Sequence, residues 1–345
     1  MSLYCEIRKK LNNFRLDVSF ETQDETVALM GASGCGKSMT LRCIAGIEKP
    51  DSGRIVINGK TVFDSEKKIC LPPQKRKTGY LFQDYALFPN MTVQKNICTV
   101  LPQNRMGELK DILAAFHLEG LENHYPVQLS GGQKQRCALA RMMVSEPEII
   151  MLDEPFSALD SYLRWQMELE VAAAIEKFGK TVLFVSHDRD EVYRISDRVV
   201  VIDHGRNEPI SGRQELYRQP GTYADALLTG CKNICPAEMS SGRVKAPEFG
   251  LEFEAEPVGR EIAFVGIRAK RIQPAHLVTD KTEALFLKYE ILSVTENVFS
   301  MILMVRTEQA QGLLRWEMPK NIYDELHRYP NMLAIPKEEI LLLAR

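Results

Sequence analysis

Gly31-Ala32-Ser33-Gly34-Cys35-Gly36-Lys37-Ser38 lies between the apolar run Val27-Ala28-Leu29-Met30 and a helical apolar spacing from Met39 through Ala45. Strand, glycine-rich loop and helix therefore follow in the order that a phosphate-binding loop requires. The glycines let successive backbone N–H groups turn inward around an anion, and the helix N-terminus adds partial positive charge. Lys37 has the reach for β- and γ-phosphates, and Ser38 is the expected Mg²⁺ ligand. By itself this stretch supports nucleotide binding and nothing narrower.

The chain around it is long and ordinary in composition. Its 345 residues allow two or three domains, with ample sequence to bury a core. A formal net charge of −2 argues against nucleic-acid binding driven by bulk electrostatics, so no nucleic-acid partner is expected. No apolar run approaches the length of a membrane-spanning helix, and Met1-Ser2-Leu3-Tyr4 leads into a mixed polar stretch. The chain is expected in the cytoplasm and not to form a channel itself. Eight cysteines are scattered singly, several within apolar segments such as those of Cys43, Cys98 and Cys137, as free thiols in a reducing compartment would be. Cys231 and Cys235 form one close pair without a second pair or clustered histidine, which is too little for a metal site.

Along the chain, Phe14-Arg15-Leu16-Asp17-Val18-Ser19-Phe20 alternates apolar and polar residues, as a half-buried strand does. Arg54-Ile55-Val56-Ile57 precedes Asn58-Gly59, a strong hairpin dipeptide, and Gly79-Tyr80-Leu81-Phe82 predicts a strand ending at Gln83. From about Thr92 to Met143 the period becomes helical, with Leu109, Ile112, Leu113 and Phe116 on one face. Strand signals return at Ile149–Leu152, Thr181–Val185 and Val199–Ile202, with a helical stretch from Trp165 to Phe178 between the first two. Strands alternating with helices imply an α/β architecture with a mostly parallel sheet. Beyond about Gly230 the pattern consists of short strands such as Ile262–Ile267, Leu287–Leu292 and Phe299–Val305, which predicts a second, β-rich domain. The expected boundaries are 1–230, with a helical subdomain at about 84–147, and 231–345.

Ile149-Ile150-Met151-Leu152-Asp153-Glu154 is an apolar strand ending in two carboxylates. In P-loop NTPases this arrangement sets one acid beside Mg²⁺ and a second beside the γ-phosphate. Asp153 is expected to support the metal, and Glu154 to polarise the attacking water as general base. Leu129-Ser130-Gly131-Gly132-Gln133-Lys134-Gln135-Arg136 adds a Ser-Gly-Gly turn opening a helix near Gln133, a second anion-binding helix N-terminus.

With that second loop the chain resembles the ATPases of ABC transporters over about residues 3 to 230. The resemblance rests on the Walker A loop Gly31–Ser38, the lid residue Gln83, the signature Leu129–Gln133, the Walker B strand with Asp153 and Glu154, the D-loop Ser157-Ala158-Leu159-Asp160, and the switch residue His187. It implies that two copies pair head to tail. ATP on Gly31, Ser33, Gly34, Cys35, Gly36, Lys37, Ser38 and Met39 of one copy would then be covered by Ser130, Gly131, Gly132 and Gln133 of the other, and Asp160 of the D-loop is a further nucleotide-binding candidate. Ser38, Gln83 and Asp153 would serve Mg²⁺; Glu154, His187, Gln83 and Lys37 would serve hydrolysis. The family also implies an aromatic that stacks on adenine. Phe14 is the nearest candidate and Tyr4 a lesser one, while a Phe in an alternating strand is equally a core residue.

The segment Gly79 to Val93 resembles the lid region of importer-type cassettes, where a membrane permease subunit inserts a short helix. Tyr80, Phe82, Tyr85 and Phe88 are candidates to line that socket, and some belong to the subdomain core. Val265-Gly266-Ile267-Arg268 resembles a strand of the OB-like accessory domain, of the TOBE type, fused to importer ATPases. Leu11–Phe20, Ile69–Arg76 and Leu314-Arg315-Trp316-Glu317 look most like molybdate importers, without a molybdate-binding signature. The resemblance thus implies a homodimer on the cytoplasmic side of the cell membrane, working with permease subunits and, through them, a periplasmic or extracellular solute-binding protein. Ferric iron, polyamine, sulfate and sugar importers are the alternatives, and a soluble ABC ATPase outside transport is a further one. A P-loop kinase would lack the signature, and an exporter would normally lack the β-rich tail.

Overall fold

The computed structural model describes all residues except Met1, Asn12, Asn13, Ala158, Asp160, Pro257, Val258 and Lys281, and leaves the side chains of Ser161 and Tyr162 undescribed. The chain divides into two compact units, Met1–Arg213 and Gln214–Arg345.

In the first unit the strands are β1 (Leu3–Lys10), β2 (Arg15–Thr22), β3 (Thr26–Met30), β4 (Ser52–Ile57), β5 (Lys60–Asp64), β6 (Ile69–Cys70), β7 (Thr78–Leu81), β8 (Ile149–Asp153), β9 (Val182–Val185), β10 (Arg198–Asp203), β11 (Arg206–Asn207) and β12 (Ser211–Gly212). The helices are α1 (Lys37–Ala45), α2 (Val93–Cys98), α3 (Leu109–Ala115), α4 (Gly131–Met143), α5 (Ser161–Phe178) and α6 (Arg189–Ile195). Strands β7, β8, β9, β3 and β10 lie side by side and all pair in parallel. Their sequences explain this placement: Thr-Val-Ala-Leu-Met of β3 and Ile-Ile-Met-Leu-Asp of β8 are buried at every position, as strands covered on both faces must be. By contrast β1 and β2 alternate buried and accessible residues; they pair antiparallel with each other, and β1 pairs antiparallel with β4, extending the sheet. Asn58 and Gly59 both take positive φ, 47° and 77°, and Ile57 pairs with Lys60 across them, as a two-residue hairpin requires.

Between β7 and β8 the chain is helical and has its own core, in which Val93 and Ile97 of α2 meet Ile112 and Leu113 of α3 and Cys137 and Ala140 of α4. Helix α4 begins at Gly131, two residues before the start expected near Gln133. Ser130 accepts from the Gln133 backbone N–H while the Gln133 side chain accepts from the Ser130 N–H, so a capping box fixes the start.

The second unit holds most of α7 (Arg213–Arg218), then α8 (Tyr223–Leu228), strands β13 (Asn233–Pro236), β14 (Glu238–Ser240), β15 (Arg243–Ala246), β16 (Leu251–Glu254), β17 (Phe264–Ile267), β18 (Gln273–Pro274), β19 (Ala284–Glu296), β20 (Ser300–Thr307) and β21 (Leu314–Pro319), helix α9 (Lys320–Leu326), and strands β22 (Met332–Pro336) and β23 (Ile340–Leu343). They form sheets in the orders β13-β17-β23, β14-β15-β16 and β18-β22-β19-β20-β21, all antiparallel. The division falls before the boundary expected near residue 230. The reason lies at the far end of the chain: Tyr223 N donates to Ala344 O and Ala344 N donates to Gly221 O, while Ala226 packs against Leu341 and Leu343. These bonds draw α8 into the second unit.

Leu314–Glu317, which resembles molybdate importers in sequence, is core here. Trp316 is fully buried, donates from Nε1 to Ile272 O at 2.9 Å, and meets Tyr289 edge-on at 5.4 Å. Replacing Trp316 with Ala removes a large packed ring and leaves a cavity. Unfolding in urea should show the 214–345 unit destabilised by about 3–5 kcal/mol, against which an unchanged midpoint would contradict the packing described.

Candidate nucleotide site

The glycine-rich loop is shaped by close contacts at two positions. A Cβ on Gly31 would lie 2.3 Å from Ile202 O, so the loop can leave β3 only through glycine. Gly36 has φ +116°, and a Cβ there would meet Leu16 Cδ1 at 2.5 Å and the Phe14 ring at 3.5 Å. Gly36 is also the N-cap of α1 and offers no side chain, so the first N–H groups of α1 face the loop without a side-chain cap. Lys37 is buried, and its Nζ donates to the carbonyls of Gly31 and Ala32, both at 2.8 Å, which holds the ammonium in the concavity of the loop. This cradle of uncapped amides, glycine backbone and one ammonium fits a phosphate chain. Ser33 and Gly34 are exposed at its mouth, Cys35 is buried under it, and Met39 packs against the main core.

Ser38 Oγ donates to Asp153 Oδ1 at 2.7 Å, linking the loop to the end of β8. The other oxygen, Oδ2, accepts from Tyr80 OH at 2.8 Å. Burial, reinforced by the Asp153 charge, pushes the Tyr80 phenol well above its ordinary range, so it stays a donor. A hydroxyl and a carboxylate at hydrogen-bond distance beside a phosphate cradle are a fitting donor set for Mg²⁺. Tyr80 was expected only as a socket or core aromatic; its hold on Asp153 was missed. The sequence predicts a strand through Tyr80, but the register Tyr80↔Met151 with β8 comes only from the fold.

Glu154 follows in a left-handed conformation, φ 48°, uncommon for a branched-free acid outside glycine's territory. Its N–H bonds to Val185 O at 3.0 Å, and its carbonyl accepts from Ser157 Oγ at 2.9 Å. The fold thus enforces a costly backbone state at one residue, a pattern found at functional sites. Gln83 Nε2 donates to Glu154 Oε2 at 3.2 Å and to Ser157 Oγ at 3.3 Å. His187 Nδ1 lies 3.7 Å from Glu154 Oε2, beyond hydrogen-bond range, on a largely exposed side chain. Its backbone is set by Ser186, whose buried hydroxyl donates to Glu191 at 2.6 Å and accepts from the Asp188 N–H at 2.9 Å. Lys37, Ser38, Asp153 and Tyr80 therefore form one cluster, and Gln83, Glu154, Ser157 and His187 a second on the adjoining strand ends.

Phe14 borders both Gly36 and Gly205, with its ring at the rim of the loop, and is only partly buried. Tyr4 instead donates to Glu6 at 2.9 Å on β1. Of the aromatics proposed for a socket, Tyr85 is buried and only Phe88 is exposed, under the Arg141 guanidinium at 5.1 Å. The segment Ile69–Arg76, which looks molybdate-like in sequence, supports α1: buried Arg76 donates to Cys43 O, Ile44 O and Leu71 O, closing the helix C-terminus. Ala158 and Asp160 of the D-loop lie outside the described residues. Ser130 is exposed at the start of α4, and Gly131, Gly132 and Gln133 follow it in the first turn. Among the described residues no hydrogen bond or ion pair joins Leu129–Gln133 to Gly31–Ser38. All eight cysteines are free; Cys231 and Cys235 are buried, and burial pushes the Cys235 thiol up to about 12.

A family model described as ABC transporter matches residues 11–157. The spermidine/putrescine import ATP-binding protein PotA of Nitratidesulfovibrio vulgaris is 40% identical over 248 residues, 68% of this chain and 66% of that protein. The sulfate/thiosulfate import ATP-binding protein CysA 2 of Chromobacterium violaceum is 41% identical over 227 residues, 64% of this chain and 60% of that protein. The Fe(3+) ions import ATP-binding protein FbpC 1 of Pectobacterium atrosepticum is 36% identical over 303 residues, 84% of each chain. Against the PotA relatives the match spans about two thirds of their length or less. Among solved structures, the dimeric bacterial ABC transporter cassette MJ0796 superposes with a TM-score of 0.52 at 29% identity, covering 61% of this chain and 98% of that one. A dimeric post-hydrolysis state of MJ0796 bound to ADP and Pi gives the same TM-score at 28% identity. No helix of the described residues is long and apolar enough to cross a membrane. With a phosphate cradle, a Walker B strand and a signature helix in one unit, the chain belongs to the ABC transporter family.

Proposed function

We propose that the chain is the ATP-hydrolysing subunit of an ABC importer, acting as a homodimer at the cytoplasmic face of the membrane on a separate permease. The observation that carries this reading is the strained Glu154, held between Gln83, Ser157 and His187 one residue beyond the Ser38–Asp153 bond. Lys37 and the α1 amides bind the phosphates; Ser38, Asp153 and the Gln83 amide oxygen hold Mg²⁺, with Tyr80 orienting Asp153. Mg²⁺ supplies charge neutralisation on the β- and γ-phosphates when bound. Glu154 accepts the proton of the attacking water, and His187, beside it, hydrogen-bonds the γ-phosphate. Phe14 offers its ring to adenine, a contact worth about 1–3 kcal/mol.

Ser130, Gly131, Gly132 and Gln133 serve nucleotide on the other copy. The exposure of Ser130 at the start of α4 supports this. Phe88, exposed on the segment after Gln83, meets the permease. The solute is molybdate or a related oxyanion, supported by the sequence resemblance and by similarity to a protein named for sulfate/thiosulfate import. Similarity to proteins named for polyamine and ferric iron import favours the second reading, an importer of one of those solutes. The 231–345 domain acts as an accessory domain of the TOBE type.

Glu154→Gln should keep ATP affinity near that of the parent, abolish turnover and give an ATP-dependent dimer in size-exclusion chromatography; surviving turnover would remove Glu154 as general base. ATPase stimulation by the co-purified permease and binding protein, measured across molybdate, tungstate, sulfate, ferric iron and spermidine, should single out an oxyanion. Stimulation by iron or polyamine alone would replace the oxyanion reading.

A further inference from the structure

Away from the nucleotide site, a recess of about 820 Å³ opens between the helical insertion and α5. It lies on the far side of α4 from the lid segment. Arg141 on one face of α4 bonds to the Tyr85 and Ala86 carbonyls, whereas Arg136, Leu139 and Met143, spaced i, i+3 and i+7, line the recess from the opposite face. The recess is therefore separate from the segment where a permease would dock.

Its chemistry is divided. Phe116, Leu139, Met143, Ala174 and Phe178 give an apolar wall. Four cations line it, Arg105, Arg136, Lys177 and Lys180, but two are already neutralised: Arg136 by a paired contact to Glu170 at 2.7 and 2.6 Å, Arg105 by Glu108 and Glu146. Among the described residues Lys177 and Lys180 have no carboxylate partner, and Lys180 Nζ makes one long hydrogen bond, to Pro147 O at 3.5 Å. Lys180 lies over the Phe178 ring at 5.5 Å, so its charge sits directly against the apolar wall. The volume is within the usual range for a small-molecule site, about 300–1,000 Å³.

We infer that this recess binds an amphipathic monoanion, a free medium-chain carboxylate, with its hydrocarbon chain along Phe116, Leu139 and Phe178 and its carboxylate between Lys177 and Lys180. The ligand matches both halves of the lining: one anion for two ammonium groups that lack a carboxylate partner among the described residues, and a chain for the apolar wall beside them. Because the walls come from α3 and α4 on one side and α5 on the other, occupancy ties the helical insertion to the body of the cassette. The inference uses the recess alone and stands apart from the importer reading.

Isothermal titration of the full chain with decanoate and with decan-1-ol, below micelle formation, tests it. Saturable one-to-one decanoate binding is expected, tighter than for the alcohol. The double variant Lys177→Glu/Lys180→Glu, at exposed positions, should weaken decanoate at least about tenfold, the scale of one charge-assisted hydrogen bond. Ala174→Trp should abolish binding by filling the recess, with MgATP affinity unchanged in both variants. The inference is overturned if the parent shows no saturable decanoate binding, if decan-1-ol binds equally well, or if the charge-reversed protein binds like the parent. Binding confined to phosphatidylglycerol vesicles would overturn it as well, by making the ligand a membrane headgroup.

Discussion

The bond from Ser38 Oγ to Asp153 Oδ1 is the contact on which the site depends. It joins the first turn of α1 to the end of β8, two elements brought together because β3, β9 and β8 are neighbours in parallel register. Tyr80, from the next strand outward, occupies the other oxygen and fixes the carboxylate plane. A carboxylate buried in this way requires its partners: leaving one oxygen without a donor would cost roughly 1–3 kcal/mol. The order of the parallel strands thus brings Ser38, Asp153 and Tyr80 into one hydrogen-bonded group.

A second constraint follows one residue later. Glu154 is held at positive φ by its bond to Val185 and by the Ser157 hydroxyl beneath it, and the distortion turns its side chain toward Gln83 and His187. All these groups come from the C-terminal ends of the parallel strands or the turns just after them, where open α/β sheets place their ligands. The signature helix has a different origin. It belongs to an insertion with its own core, and its N-terminal serine is capped by its own turn and exposed. Among the described residues no hydrogen bond or ion pair joins that turn to the glycine-rich loop, and the proposed pairing of two copies gives the exposed turn a partner.

Much of this was legible in the sequence because it is local. The continuous apolar runs of β3, β8 and β9, the Asn58-Gly59 turn and the Ser130-Gly131-Gly132 turn each lie within a few residues of one another. What was not legible depends on register between distant segments. Tyr80 and Asp153 are 73 residues apart, and nothing short of strand pairing shows that they touch. The unit boundary was misplaced because α8 is fixed by Ala344, at the opposite end of the chain. Arg76 and Trp316 stand in segments that look solute-specific, yet one closes a helix terminus and the other fills a core. Phe14 was ambiguous between platform and core; its ring against Gly36 now sets it at the rim of the cradle.

The central claim, that each catalytic site takes its Walker A loop from one copy and its signature from the other, is tested most directly by mixing two inactive variants, Lys37→Ala and Ser130→Phe. In each mixed dimer one site then bears both changes and the other bears neither. The account predicts that ATP hydrolysis, absent from either variant alone, returns on mixing; no recovery, with mixed dimers shown to form, would contradict it.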